Sequence, residues 1–128
     1  MKSDVDRLEQ VFRALGDDIR LEILGLLARG EVCVCQIHEA LGLPQPTVSR
    51  HLAYLRRSGL VATRRDGLWI HYRLAPPSDP RVASIVNATL ETLAQISAVR
   101  PRERARKAAV PAEHVQPGLS HSSPDFLD

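Results

Sequence analysis

A mainly α-helical chain carrying one β-hairpin is the fold class this sequence predicts, and three observations predict it. Apolar residues recur at helical spacing in several separate stretches, two of them short and joined by the tight turn Gly42-Leu43-Pro44. Residues 60–65 and 68–73 then alternate and are rich in strand formers, with Asp66-Gly67 between them as a two-residue hairpin signal. A longer helical stripe follows the hairpin. Two short helices joined by a turn, then a hairpin, spell a winged helix-turn-helix.

Each element has its own warrant. Leu8, Val11, Phe12 and Leu15 place an amphipathic helix at 4–15, and Gly16 stops it. Asp17 or Asp18 caps the second helix, whose stripe is Ile19, Ile23, Leu26 and Leu27 and which Gly30 ends. A short third helix spans about 33–41, with Val34, Ile37 and Leu41 on one face. The fourth begins near Pro46, because proline's missing N–H costs nothing in the first helical turn. Val48, Leu52 and Leu55 form its buried stripe, and Ser58-Gly59 closes it. The last helix runs from about 79 to 98, with Val82, Ile85, Val86, Leu93 and Ile96 on one side. After Pro101 the pattern dissolves. Residues 100–128 hold four of the nine prolines and a basic run from Arg100 to Lys107. The expected organisation is one domain over residues 1–99 and a disordered, Pro-rich basic tail over 100–128.

The 128 residues suffice for one modest core, which a dimer would help to stabilise. No apolar run approaches the roughly 20 residues needed to cross a bilayer, so no membrane association is expected. No charged-then-apolar leader stands at the N-terminus, which makes the cytoplasm the expected compartment. Charge is unevenly spread. Residues 1–43 hold five Lys/Arg against eight Asp/Glu, whereas residues 44–75 hold six Arg against the single Asp66. That block is either a solvated basic face or a surface that meets phosphates.

The helix at 46–57 favours the second reading. Opposite its apolar stripe the sequence places Gln45, Thr47, Ser49, Arg50 and His51 near the N-terminal end, the end that meets base edges in this motif. Gln pairs with adenine and Arg with guanine in the major groove. Arg56 and Arg57 come later, where phosphate contact is expected. Arg64 and Arg65 precede the hairpin tip, with nothing nearby in sequence to neutralise them, and are assigned to DNA. Trp69 and Tyr72 are assigned to packing that fixes the wing to the domain, and His71 to the wing as well.

The only two cysteines, Cys33 and Cys35, stand one residue apart in Glu31-Val32-Cys33-Val34-Cys35-Gln36-Ile37. This spacing fits a reduced thiol site better than a disulfide framework. Two cysteines between valines are also what a plain apolar core would contain. On a regular helix, residues i and i+2 point about 200° apart, so one ion reaches both sulfurs poorly. A shared site must form where the helix has not yet begun, or by unwinding its first turn. Soft sulfur selects soft, thiophilic ions.

Glu31-Val32-Cys33-Val34-Cys35-Gln36-Ile37, Gln45-Pro46-Thr47-Val48-Ser49-Arg50-His51-Leu52, Leu55-Arg56-Arg57-Ser58-Gly59-Leu60-Val61 and Trp69-Ile70-His71-Tyr72-Arg73-Leu74 together resemble the ArsR/SmtB metalloregulatory repressors. The likeness covers about residues 4–98, and the cysteine stretch is similar to the arsenic- and antimony-responsive branch. The resemblance implies a homodimeric repressor that leaves its operator when trivalent arsenic or antimony binds Cys33 and Cys35, with no organic cofactor. It also implies a dimer built by the first and last helices, through Leu8, Val11, Phe12, Leu15, Val82, Ile85, Val86, Leu93 and Ile96. Such a dimer reads an inverted repeat with half-sites about 10 bp apart, or a multiple.

The sequence departs from that family's pattern at several points. His38 stands where the arsenic-responsive branch often has a third cysteine; it is a candidate third ligand, though a poor one for arsenic, beside water, a small thiol or none. Met1 to Arg7 contains no cysteine, unlike relatives that sense cadmium or lead. The last helix has Asp79 and Glu91 but no histidine, which argues against the zinc site of other relatives. Pro44 replaces the small polar residue usual before the recognition helix. Two rivals remain at this stage. One is a repressor sensing cadmium, lead, mercury or thiol oxidation. The other is a Cys-x-Cys redox or metal-carrier protein on a winged scaffold. No second cysteine pair, catalytic triad, carboxylate constellation or Gly-rich phosphate loop points to an enzyme.

Overall fold

The structure, a computed structural model, describes residues 3–97. The chain runs α1 (Asp4–Leu15), α2 (Asp18–Leu27), β1 (Val32–Cys33), α3 (Val34–Leu41), α4 (Gln45–Arg57), β2 (Val61–Asp66), β3 (Trp69–Leu74) and α5 (Pro80–Ser97). The helices enclose one core, and a small antiparallel sheet in the order β1-β3-β2 closes one side. This is the mainly α, winged arrangement that the sequence predicts. The tail assigned to 100–128, and the last two residues of the domain expected over 1–99, lie outside the described residues, as do Met1 and Lys2.

Local chemistry explains the helix ends. Ser3 caps α1 in a reciprocal box: its Oγ accepts from the Asp6 N–H at 3.1 Å, and its own N–H donates to Asp6 Oδ2 at 3.3 Å. Of the two candidate caps for α2, Asp17 does the work, accepting from the Arg20 N–H at 3.1 Å. Gly42 ends α3 with φ 68°, a left-handed conformation that glycine adopts without steric cost. The Leu43 N–H then reaches back to the His38 carbonyl at 3.1 Å, and the chain turns directly into α4. Pro44 caps α4 without any side-chain hydrogen bond, the consequence of placing proline where a hydroxyl or carboxylate is usual.

The core combines Ile23, Leu24 and Leu27 of α2 with Val34, Ile37 and Leu41 of α3 and Val48, Leu52 and Leu55 of α4. The stripes predicted for α3 and α4 are therefore the buried faces. Val11, Leu15 and Val86, expected between two copies, are buried in the protomer's own core. Of the nine residues assigned to the dimer, Phe12 and Ile96 are exposed at 52% and 48%, and Leu8, Val82, Ile85 and Leu93 are half-buried.

The sheet differs from expectation twice. Strand β1 is only two residues long and pairs Val32 with Tyr72 and Cys33 with His71. Two residues are too few to show alternation in a sequence. The hairpin loop is Gly67-Leu68 rather than Asp66-Gly67, because Asp66 pairs with Trp69. Gly67 takes φ 63° while no other residue type in the described chain has positive φ. A glycine at the first central position is the type II′ pattern, which spares Asp66 a left-handed backbone. Among the described residues, no helix is long and apolar enough to cross a membrane.

Candidate functional site

Cys33 is at once the last residue of β1 and the N-cap of α3. Its backbone is extended, at φ −73° and ψ 148°, so its side chain folds back over the first turn of the helix. There Sγ accepts from the Cys35 N–H at 3.4 Å, and the Cys33 N–H donates to Gln36 Oε1 at 3.3 Å. The two sulfurs consequently face one another at 2.9 Å, and both cysteines are free. Of the two ways to bring i and i+2 together, this is the one in which the helix has not yet begun. A disulfide needs about 2.05 Å, so this pair is a dithiol. Cys33 is buried and Cys35 half-buried. Burial, reinforced by the neighbouring Cys33 sulfur, pushes the Cys35 thiol up to about 12, so it carries its proton at neutral pH.

His38 is buried on α3, with Nδ1 3.3 Å from the Leu43 carbonyl. The carbonyl can only accept, so Nδ1 carries the proton and the ring ties α3 to the turn before α4. Among the described residues, no three His, Cys, Asp or Glu side chains gather into a metal-holding group. Asp79 is likewise engaged elsewhere. Arg81 donates to both of its oxygens, Nε to Oδ1 at 3.1 Å and Nη2 to Oδ2 at 2.7 Å, holding its carboxyl down to about 2.

On α4 the residues sort differently from the sequence reading. Gln45 and Ser49 are buried, not displayed on the outer face. They flank Val48 and Leu52 at positions 45, 48, 49 and 52, the spacing of a single helix face. Arg50, Arg56 and Arg57 are exposed, and Thr47 is half-buried. His51 Nδ1 lies 3.2 Å from Arg20 Nη1 and 3.8 Å from Asp17 Oδ1. Burial, ahead of the opposing influence of Asp17, lowers its pKa. A neutral ring accepting from Arg20 fastens α4 to α2.

Arg20, which the sequence reading passes over, organises this corner. Its Nε donates to the Ala14 carbonyl and its Nη2 to the Arg13 carbonyl, both at 2.8 Å, satisfying the end of α1. Its guanidinium also stacks 4.2 Å above the centre of the Tyr54 ring. One side chain thereby joins α1, α2 and α4. Nothing local in the sequence announces it.

In the wing, Arg64 is not an unopposed charge. Its Nη2 donates to Glu31 Oε1 at 2.7 Å, and its Nε lies 3.2 Å from both carboxylate oxygens. This contact holds the Glu31 carboxyl below its ordinary range. Arg65 is exposed. Tyr72 is 2% exposed and fixes the wing as expected, and burial pushes its hydroxyl up to about 12. Trp69 is 36% exposed near the tip. His71 is half-buried, with Nε2 3.9 Å from Asp66 Oδ2.

This arrangement of helix, turn and wing has close counterparts. Residues 17–63 match the family described as bacterial regulatory protein, arsR family. Over 79 residues the chain is 48% identical to the arsenical resistance operon repressor of Escherichia coli (strain K12), spanning 61% of this chain and 68% of that protein. Among solved structures it is similar to the transcriptional repressor BigR from Xylella fastidiosa, with a TM-score of 0.62 and 30% identity over 77% of this chain and 92% of that one. It is also similar to the AntR antimony-specific transcriptional repressor, with a TM-score of 0.57 and 28% identity over 75% and 86% of the two chains. These relatives are repressors, not enzymes. With a winged helix-turn-helix, a dithiol at the N-terminus of α3 and this degree of identity, the chain belongs to the ArsR family of bacterial regulatory proteins.

Proposed function

We propose that this transcriptional repressor holds operator DNA as a homodimer and releases it when trivalent arsenic or antimony bridges Cys33 and Cys35. The observation that carries the reading is the pair of free sulfurs 2.9 Å apart at the cap of α3. A soft ion with bonds to sulfur of about 2.3 Å, the length seen for zinc, spans that separation without unwinding the helix. With arsenous acid the chemistry balances within the site. Each thiol gives its proton to an arsenic-bound hydroxide, one As–S bond forms as one As–O bond breaks, and water leaves. The names of the relatives from Escherichia coli and of the antimony-specific repressor lend support to this class of inducer.

One feature bears on the rival signals: burial holds Cys35 as the thiol, so an oxidant does not find a thiolate at that sulfur. A divalent cation would have to release that proton to solvent in order to bind it. The deciding experiment is a DNA-release titration with arsenite, antimonite, cadmium, lead, zinc and an oxidant in parallel. Release at the lowest concentrations by arsenite and antimonite is expected. Release by cadmium, lead or the oxidant alone would replace this reading.

For DNA, the exposed side chains are the candidates: Arg50, with the half-buried Thr47, for base edges, Arg56 and Arg57 for phosphates, Arg64 and Arg65 in the wing. Gln45, Ser49 and His51 are better explained as the packing of α4. Arg50→Ala is expected to weaken specific operator binding roughly 5- to 150-fold, the loss of one bidentate base contact of about 1–3 kcal/mol. A gel shift against operator and random DNA checks this. Equal losses on both would make Arg50 a phosphate contact. The exposed Phe12 and Ile96, on α1 and α5, suit contact with a second copy, which would read an inverted repeat. Such a repressor works where the DNA is, in the cytoplasm.

A further inference from the structure

The ion pair between Glu31 and Arg64 belongs to neither the thiol site nor the core, yet it spans the two functional regions. Its position follows from the sheet. Cys33 pairs with His71, and His71 pairs with Arg64, so these three residues form one row across β1, β3 and β2. Glu31 precedes Cys33 by two residues, and strand alternation returns it to the same side of the sheet as Cys33 and Arg64. From there its carboxylate crosses to the wing and takes both Nη2 and Nε of the guanidinium, at 2.7 and 3.2 Å. Two-point contact fixes the direction of the arginine as well as its charge. Glu31 and Arg64 remain 30% and 49% exposed at the side chain, where an ion pair adds little to stability. What the pair supplies is geometry. A single residue, Val32, separates Glu31 from Cys33, so any displacement of the sulfur-bearing backbone is passed to the carboxylate within two peptide units.

We propose that Glu31 is a positioning residue that couples the thiol site to the wing: when the sulfurs of Cys33 and Cys35 are drawn onto an inducer, the movement of β1 is carried through the Glu31–Arg64 pair and redirects the wing on DNA. This rests on the sensor reading of the dithiol and adds to it a path from the thiol site to the wing. Strand β1 contributes only two residues to the ladder that runs from Cys33 through His71. The side-chain bridge extends that connection beyond the strand.

The sole tryptophan of the chain, Trp69, lies in the wing and is partly exposed, which makes it a reporter of wing position without DNA. In the full-length wild type, arsenite is expected to change Trp69 emission while removing two titratable thiols. Glu31→Gln and Arg64→Gln should each bind arsenite with the same loss of two thiols but show less than a third of the emission change. The double variant should lose no more than the worse single one, because both residues act through one contact. With operator DNA, Glu31→Gln should reduce at least fivefold the ratio of affinities measured without and with arsenite. A full emission change and an unaltered ratio in Glu31→Gln would overturn the proposal. A wild type that neither binds arsenite nor responds to it would overturn the sensor reading beneath it, a distinct result.

Discussion

Cys33→Ser and Cys35→Ser will each keep their grip on operator DNA at arsenite concentrations that release the wild type. The expectation follows from chelation. With both sulfurs on one arsenic, the second bond forms within the complex, and linking two binding events in this way raises avidity roughly 10²- to 10⁴-fold. One remaining thiol forfeits that gain, so the release midpoint should move upward by roughly 100-fold or more. The variants also separate the chemistry from the fold. Cys33 caps α3 through its sulfur, which accepts a long 3.4 Å hydrogen bond from the Cys35 N–H. Serine is among the preferred N-cap residues, so Cys33→Ser keeps or improves the cap and removes only the soft ligand. Release is read by a fluorescence-anisotropy titration of labelled operator. Release of either variant at wild-type arsenite concentrations would eliminate the two-sulfur chelate. Weak DNA binding by Cys33→Ser before any arsenite is added would instead mean that the sulfur packing itself holds the recognition helix in place.

Much of the frame that presents these groups is legible in the chain. The helices follow from apolar spacing, and the turn between α3 and α4 from Gly42, whose φ of 68° is written in its residue type. The convergence of the sulfurs is half legible. Spacing alone says that a regular helix separates them, and only the location of the helix start decides the matter. That start depends on a two-residue strand pairing with residues 71 and 72, about 40 positions away. Gln45 and Ser49 are a different kind of miss. Their positions relative to Val48 and Leu52 put them on the buried face, but polar residue type outweighs spacing in a reading aimed at base contacts. The hairpin shows the reverse, since Asp-Gly is a strong turn dipeptide and yet the pairing of Asp66 with Trp69 shifts the loop by one. Arg20 with His51, and Glu31 with Arg64, join residues 31 and 33 positions apart, and no local pattern can encode them. The chain therefore declares which groups it owns, while their partners emerge only from tertiary packing.

The pH dependence of induction should distinguish trivalent from divalent inducers. Cys35 is held as a thiol up to about 12, against an ordinary value of 9.0, chiefly by burial and then by its contact with the Cys33 sulfur. A divalent cation that binds this sulfur must expel its proton to solvent. Its apparent affinity should therefore rise at least about tenfold for each pH unit between 6 and 8, and continue to rise above pH 9, where an ordinary thiol would level off. Arsenous acid carries its own base. Its hydroxide takes the thiol proton and departs as water, no net proton is released, and the release midpoint should stay flat over the same range while the acid itself is neutral. A group whose pKa is raised on folding contributes stability below its unfolded value and loses it above, so the contribution of the neutral Cys35 is intact at pH 8 and is lost as pH climbs from about 9 towards 12. Operator-release titrations at four pH values, with arsenite and with cadmium, give both slopes in one set of measurements. An arsenite midpoint that falls tenfold per pH unit would mean that binding releases a net proton and that the exchange of thiol for hydroxide is wrong. A flat cadmium profile would mean that Cys35 is not a ligand of that ion.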